Sequence, residues 1–202
     1  MPGEPLLPGP AALVHVPRWY SFVEVRAERV FGGDTGRLDR QHALSVAARQ
    51  HLALSEGADS YLETRAGTRR AWGFGWHDLL VRARGTYLAG PVPFPEEEPL
   101  SRHLRGVGGG QHLRRGASLS AEFQVSLLRD VYRASVFHDA ALFGRLVRAD
   151  GSERASWGNS FGLGLHALYE GTLQLNLYGA LGKRPGPGPL TMGFVLELQK
   201  VF

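Results

Sequence analysis

The chain has 202 residues, a formal charge of +4 and no cysteine. That allows one domain or two small ones and excludes disulfides, thiolate metal sites and cysteine nucleophiles. Arginine supplies 21 of the 23 basic residues, with lysine only at Lys183 and Lys200; so one-sided a bias carries little weight as a sign of nucleic-acid binding, and no nucleic-acid partner is expected. No run of 18 apolar residues exists, which removes a helical membrane span but leaves a membrane β-barrel open.

Residues 1–17 carry prolines at positions 2, 5, 8 and 10 and no basic n-region. They read as a disordered, Pro-rich lead-in rather than a secretory signal. If the protein is exported, its signal is expected upstream of Met1.

Residues 18–202 read as one barrel portion built from strands. Val23, Val25 and Ala27 alternate with Glu24, Arg26 and Glu28. Leu44, Val46, Ala48, Leu52 and Leu54 oppose Ser45, Arg49 and His51. A weaker strand covers residues 61–71. Leu79, Val81, Ala83, Gly85 and Tyr87 face away from Arg82, Arg84 and Thr86. After a long loop at 91–116, Leu119, Ala121, Phe123, Val125 and Leu127 alternate with Ser118, Ser120, Glu122, Gln124 and Ser126. A tight turn at Arg129-Asp130 leads to Tyr132, Ala134, Val136, Ala140 and Leu142, set against Arg133, Ser135 and Asp139. A loop at 144–159 precedes Phe161, Leu163, Leu165, Ala167 and Tyr169, which alternate with Ser160, Gly162, Gly164 and His166. A second tight turn, Glu170-Gly171, leads to Leu173, Leu175, Leu177 and Leu181 against Thr172, Gln174, Asn176 and Tyr178. A loop at 182–189 precedes the last strand, with Leu190, Met192, Phe194, Leu196, Leu198 and Phe202 on one parity.

A period of two puts each set on its own face of a strand. The count is about nine strands, an all-β fold. Two features favour an antiparallel transmembrane barrel portion over a soluble sandwich. Most segments sustain alternation for roughly the 9–11 residues that cross a bilayer. Short turns also alternate with long loops, and Tyr132, Tyr169 and Phe202 fall at the short-turn end, where an aromatic girdle belongs. Leucines would then face lipid, and Ser, Gln, Glu and Arg a wet lumen. A soluble, lipocalin-like ligand barrel fits the same length.

From residue 104 onward the chain resembles the C-terminal part of the BamA/TamA outer-membrane assembly family, also called the bacterial surface antigen family. Leu104-Arg105-Gly106-Val107 is similar to its apolar-Arg-Gly-aromatic loop motif, with valine at the aromatic position. Ala121-Glu122-Phe123 resembles its acidic strand position, and residues 137–144, FHDAALFG, its aromatic-x-Asp-x-Gly segment. Gly162-Leu163-Gly164 resembles its glycine-rich strand. Residues 191–198, TMGFVLEL, with the terminal Phe202, resemble the β-signal read by the barrel assembly machinery; Gly193, Leu196, Leu198 and Phe202 are its residues here.

The resemblance implies a location in the bacterial outer membrane, outer-membrane lipid and the barrel assembly machinery as partners, and a role in protein insertion or transport with client outer-membrane proteins. It implies sixteen strands and periplasmic POTRA domains. About nine strands therefore suggest a fragment or truncated form, lacking an N-terminal barrel and POTRA portion. It also implies that Arg105 and Gly106 fold into the lumen, with Arg105 paired to Glu122 and Asp139. Glu122 and Asp139 share lumen parity on adjacent strands, with an axial offset of about 7 Å that one guanidinium fork can span. A passive outer-membrane pore or structural barrel is the alternative.

Other patterns point to weaker chemistry. Gly158-Asn159-Ser160-Phe161-Gly162 matches the G-x-S-x-G nucleophile elbow, but Ser160 opens a strand and no helix follows, so a barrel lipase with His166 as neighbour is a remote reading. Gly106 to Gly110, with Arg114 and Arg115 beyond, lacks the Lys-Ser/Thr ending of a phosphate loop. The histidines show no zinc spacing. Glu96-Glu97-Glu98 reads as a solvated loop run near a cation-bridged lipopolysaccharide surface. No catalytic residue, cofactor or metal is expected, and the protein reads as a non-enzyme.

Overall fold

The computed structural model describes residues 19–32, 42–93, 96–107, 112–128, 131–146, 153–169, 173–183 and 190–200. The expected lead-in at 1–17 lies outside them. The strands are β1 (Tyr20–Phe31), β2 (His42–Ala53), β3 (Tyr61–Phe74), β4 (His77–Ala89), β5 (Glu98–Pro99), β6 (His112–Leu113), β7 (Arg115–Leu128), β8 (Tyr132–Leu146), β9 (Glu153–Tyr169), β10 (Leu173–Lys183) and β11 (Leu190–Lys200). All but β5 and β6 form one nine-stranded sheet in chain order, every neighbour pair antiparallel. The chain is all-β, as the alternation requires. With nine strands and eight antiparallel steps, the end strands β1 and β11 run in the same direction.

Each strand keeps the two faces that its alternation sets. On β11, Leu190, Met192, Phe194, Leu196 and Leu198 are exposed, while Thr191, Gly193, Val195 and Glu197 are half-buried. On β7 to β10 the polar parity is the covered one. Glu122, Gln124, Ser135, Asp139, Ser160, His166 and Asn176 are all buried. Leu119, Phe123, Val136, Leu142, Leu163, Leu165, Leu175 and Leu177 are all exposed. The sheet is therefore apolar outside and polar inside, the reverse of a soluble barrel.

What covers the polar face is the connection from β4 to β7. Its turn residues touch strand after strand. The Arg102 carbonyl accepts from Arg84 on β4. Arg105 reaches β7 and β8. Leu104 lies against Gly158 on β9, and Gly106 and Val107 lie against Ala180 and Gly182 on β10 and Gly193 on β11. Laid flat, six strands at about 4.8 Å spacing would span roughly 24 Å. Six loop residues reach all of them only because the sheet curls around the loop. Leu100, Leu104, Val107 and Leu113 complete this plug by packing on Ala141 and Phe143 of β8.

Several sequence boundaries shift. The 144–159 loop is shorter, because β8 and β9 stay paired out to Leu146↔Glu153. The 91–116 segment contains the β5–β6 hairpin and yields its last residues to β7. The 182–189 loop starts after Lys183. In each case the ladder runs on into polar sequence, where alternation fades while hydrogen bonding continues. The weak strand at 61–71 extends to Phe74. The turns at 129–130 and 170–171 lie outside the described residues, though Leu128↔Tyr132 and Leu173↔Tyr169 pair on either side of them. Connections at this end are short, 75–76 included, but 32–41 is long; the opposite end carries 54–60, 90–114, 147–152 and 184–189.

Candidate functional site

The site is centred on Arg105, which the loop delivers to the concave face. Gly106 sets the delivery. Its φ is +74°, and a Cβ there would collide with Ala180, so glycine serves both the backbone and the space. The Arg105 side chain is 13% exposed. Its Nη1 donates to Glu122 Oε2 at 2.7 Å. Nη2 donates to Asp139 Oδ1 at 2.8 Å and to Ser120 Oγ at 3.0 Å. Nε donates to Asp139 Oδ2 at 3.0 Å, and the backbone N–H of Arg105 donates to that same oxygen at 3.1 Å. Four of the five guanidinium protons thus have named acceptors, two of them in the side-on geometry that makes arginine–carboxylate pairs strong.

The ring above and the ring beside it come from glycines. Phe137 pairs in register with Gly162, and Tyr178 with Gly164. A Cβ at Gly162 would meet the Phe137 ring at 2.8 Å, and one at Gly164 would meet the Tyr178 ring at 2.9 Å. With no side chains there, both rings lie down on β9. The Arg105 guanidinium then sits 3.6 Å from the Phe137 centroid and 4.7 Å from that of Tyr178. This cation–π contact adds attraction that a lysine at this position would not match.

A shell of polar groups closes the network. Ser160 Oγ donates to Asp139 Oδ2 at 3.3 Å. Gln124 Nε2 donates to Glu122 Oε1 at 3.0 Å. His166 Nε2 lies 3.1 Å from Glu122 Oε1 and 2.9 Å from Ser135 Oγ, and its Nδ1 lies 2.8 Å from Asn176 Oδ1. Burial by itself would lower the Arg105 pKa, but the hydrogen bonds and charge of Asp139, and then the charge and hydrogen bond of Glu122, raise it above its ordinary value. The guanidinium stays charged.

The sequence-derived cluster of Arg105, Gly106, Glu122 and Asp139 is brought together here. Sequence reading missed Ser120, Phe137, Ser160, His166, Asn176 and Tyr178 as members. The register offers a signal for two of them: an inward aromatic directly across from an inward glycine. Of the β-signal residues, Gly193 faces inward, where a Cβ would come within 2.7 Å of Gly106. Leu196 and Leu198 face outward at 69% and 65% exposure, and Phe202 lies outside the described residues.

Three other readings meet the geometry differently. Ser160 sits inside an extended strand, fully buried and bonded to Asp139; with His166 six residues further along the same strand, about 20 Å separates the two, so nothing there forms a nucleophile elbow. The Glu96-Glu97-Glu98 run is not a solvated stretch. Glu97 and Glu98 are buried; Glu97 pairs with Arg114 at 3.0 Å, and Glu98 with Arg102 at 3.3 Å and Arg65 at 3.5 Å. Glu96, exposed, accepts from the Tyr61 hydroxyl at 3.4 Å. The run pairs with Arg65 on β3 and with Arg102 and Arg114 of its own connection, and this charge pairing draws it in. Of the glycine-rich stretch after Arg105, positions 108–110 lie outside the described residues.

Chemically, the cluster is a clamp. Both carboxylates are occupied by a permanently charged guanidinium, so the arrangement positions a loop. Among the described residues, no group of three or more His, Asp or Glu is arranged to hold a metal ion. No family model matches the chain, and no curated protein matches it.

Proposed function

We propose that this chain is a portion of a bacterial outer-membrane β-barrel of the assembly and translocation type that its loop and strand motifs resemble. One observation carries the membrane part of the reading: strands β7 to β10 bury Glu122, Gln124, Asp139, His166 and Asn176 and expose their large apolar side chains. Lipid requires that inversion, and water penalises it.

Outward aromatics support it. Trp19, Tyr87 and Trp157 are exposed toward one end of the sheet, and Phe74, Trp76 and Tyr132 toward the other. Trp76 and Tyr87 are 11 residues apart, about 36 Å along the strand at ~3.3 Å per residue, or about 28 Å along the membrane normal at a tilt of ~40°. An apolar band of about 25 Å between aromatic girdles is the outer-membrane pattern. The Arg105 clamp supports the assembly type, because the resemblance implies that same pairing.

The parallel orientation of β1 and β11 bears on closure. Direct pairing of these two would give a parallel seam in an otherwise antiparallel sheet. An odd number of further strands between them keeps every pair antiparallel, which suits a barrel completed by additional strands.

The test has two stages. Expressed with an export signal in a Gram-negative host, the protein is expected in the outer-membrane fraction; recovery as native protein without detergent overturns the membrane reading. In vesicles, the assembly reading expects faster insertion of an unfolded outer-membrane client, and loss of that gain in Arg105→Ala. Ion conductance with no effect on client insertion supports the passive pore instead.

A further inference from the structure

On the concave face most arginines are answered. Arg26 pairs with Glu28, Arg49 with Glu24, Arg65 with Glu63 and Arg133 with Asp78. Arg69 and Arg82 are different. They are direct register partners on β3 and β4, so their Cβ atoms lie about 5 Å apart on one face. Like charges directly opposite are destabilising. Among the described residues no carboxylate pairs with either. Arg84, the next inward residue on β4, donates to the Arg102 carbonyl at 3.4 Å and lies within the field of Glu98, Asp139 and Glu197.

The floor beside them is bare. Arg84 lies across from Gly67, and Gly67 across from Ser45. Ala43 and Ala47 flank Ser45 on the same face. A Cβ at Gly67 would meet only Ser45 Oγ at 3.1 Å and the Ala83 carbonyl at 3.7 Å. Arg69, Arg82 and Arg84 therefore share a face with a patch of small residues, Ala43, Ser45, Ala47 and Gly67.

We propose that Arg69, Arg82 and Arg84 form an anion site on the inner wall that takes a phosphate group, with Ser45 as an additional donor. A phosphate offers enough acceptor oxygens for several arginine forks, and its charge of about −1.5 to −2 removes the mutual repulsion of Arg69 and Arg82. The site lies on β2 to β4, bordering the Arg105 clamp where Arg82 pairs in register with Ser120, and does not depend on the assembly reading.

The experiment is a thermal melt of the full chain in non-ionic detergent, with sodium phosphate titrated against sodium chloride at matched ionic strength. The expected result is a Tm gain of roughly 3–6 °C at ten times Kd, from linkage. The double variant Arg69→Gln/Arg82→Gln loses that gain, and Arg26→Gln keeps it. Phosphate also strengthens apolar burial in general, so only the difference between wild type and double variant counts. Arg82→Gln alone is expected to melt higher than wild type in chloride, because it removes the like-charge pair. If the double variant does not fold, Arg84→Lys supplies the reading: it keeps the charge but loses the fork, and is expected to bind phosphate several-fold more weakly by phosphorus NMR line broadening. A parallel titration with phosphatidylglycerol against phosphatidylcholine identifies the source. A gain with inorganic phosphate assigns a free phosphate group, and a gain with phosphatidylglycerol alone assigns a lipid headgroup. No gain over chloride and phosphatidylcholine, or an equal gain in the double variant, overturns the proposal.

Discussion

Strands β1 and β10 have 12 and 11 residues, and both pair in unbroken antiparallel register. Yet every β1 residue except Tyr20 is exposed, while β10 buries Asn176, Tyr178, Ala180 and Gly182. β1 pairs on one side and β10 on both, but the other end strand, β11, also pairs on one side and still half-buries Thr191, Gly193, Val195 and Glu197, so the ladder does not account for the difference. What differs is the loop: residues 102–107 lie on β4 and β7 to β11 and make no described contact with β1. Ladders align strands. In this molecule the loop plug supplies the burial of the polar face.

This contrast predicts where the molecule breaks. Arg105→Ala leaves Glu122 and Asp139, each 2% exposed, without their cation. Removing one partner of a buried ion pair costs about 3–5 kcal/mol, a Tm fall of roughly 6–20 °C at this size. Proteolysis within 91–116 should accelerate in parallel. Arg26→Ala on β1 removes an exposed ion pair and is expected to shift stability by less than about 0.5 kcal/mol. Equal melting temperatures for the two variants would refute the division into a plugged and an unplugged region.

Two glycines sharpen it. Gly57 and Gly106 have nearly equal φ, +75° and +74°. A Cβ at Gly57 meets nothing within 4 Å, whereas one at Gly106 strikes Ala180. Gly57→Ala should cost only the backbone strain, about 1–2 kcal/mol, and Gly106→Ala that strain plus overpacking of about 1–3 kcal/mol. Denaturant melts of both variants measure the difference. If the loop docks loosely, the two costs coincide.

The outer face admits a test in two solvents. Leu177, at 44% exposure, lies near the middle of β10. Leu177→Arg should cost roughly 2–4 kcal/mol if it sits at mid-bilayer, and under about 0.5 kcal/mol if the face meets water. Unfolding in vesicles and the yield of folded protein read out the two cases.

How much of this was legible follows the same divide. Alternation gave strand faces throughout, because a period of two is a local property. The proximity of Glu122 and Asp139 was accessible because the acids share parity on strands joined by a short turn, whereas the loop's Arg105 came to them only as what the family resemblance implies. Phe137 and Tyr178 were not, because their role depends on which inward glycine lies across the ladder, and that register is not local. Glu97 and Glu98 misled for a similar reason: a charged run reads as solvated until Arg65, Arg102 and Arg114 are folded against it. The boundaries at 144–159 failed because polar strand ends keep their backbone pairing after the apolar signal has stopped.

The smallest expected effect concerns pH and separates the plug from the wall. His103 lies in the loop, buried, with Nδ1 3.0 Å from Ser118 Oγ and Nε2 without a partner. The charged groups that act on it are Glu98, Arg84 and Arg102. Burial lowers its pKa below the ordinary 6.5; Glu98 opposes this, and Arg84 and Arg102 add to it. An undocked loop takes up a proton near pH 6.5, while the docked loop refuses it until lower pH. Docking is therefore at full strength above about pH 6.5 and weakens as pH falls from there toward the folded pKa. Cleavage within 91–116 should accelerate between pH 7 and 5.5 while the strands stay protected. His103→Gln cannot titrate, so its loop cleavage should be flatter across that range. A wild-type profile as flat as the variant's would show that protonation of His103 is not coupled to loop docking.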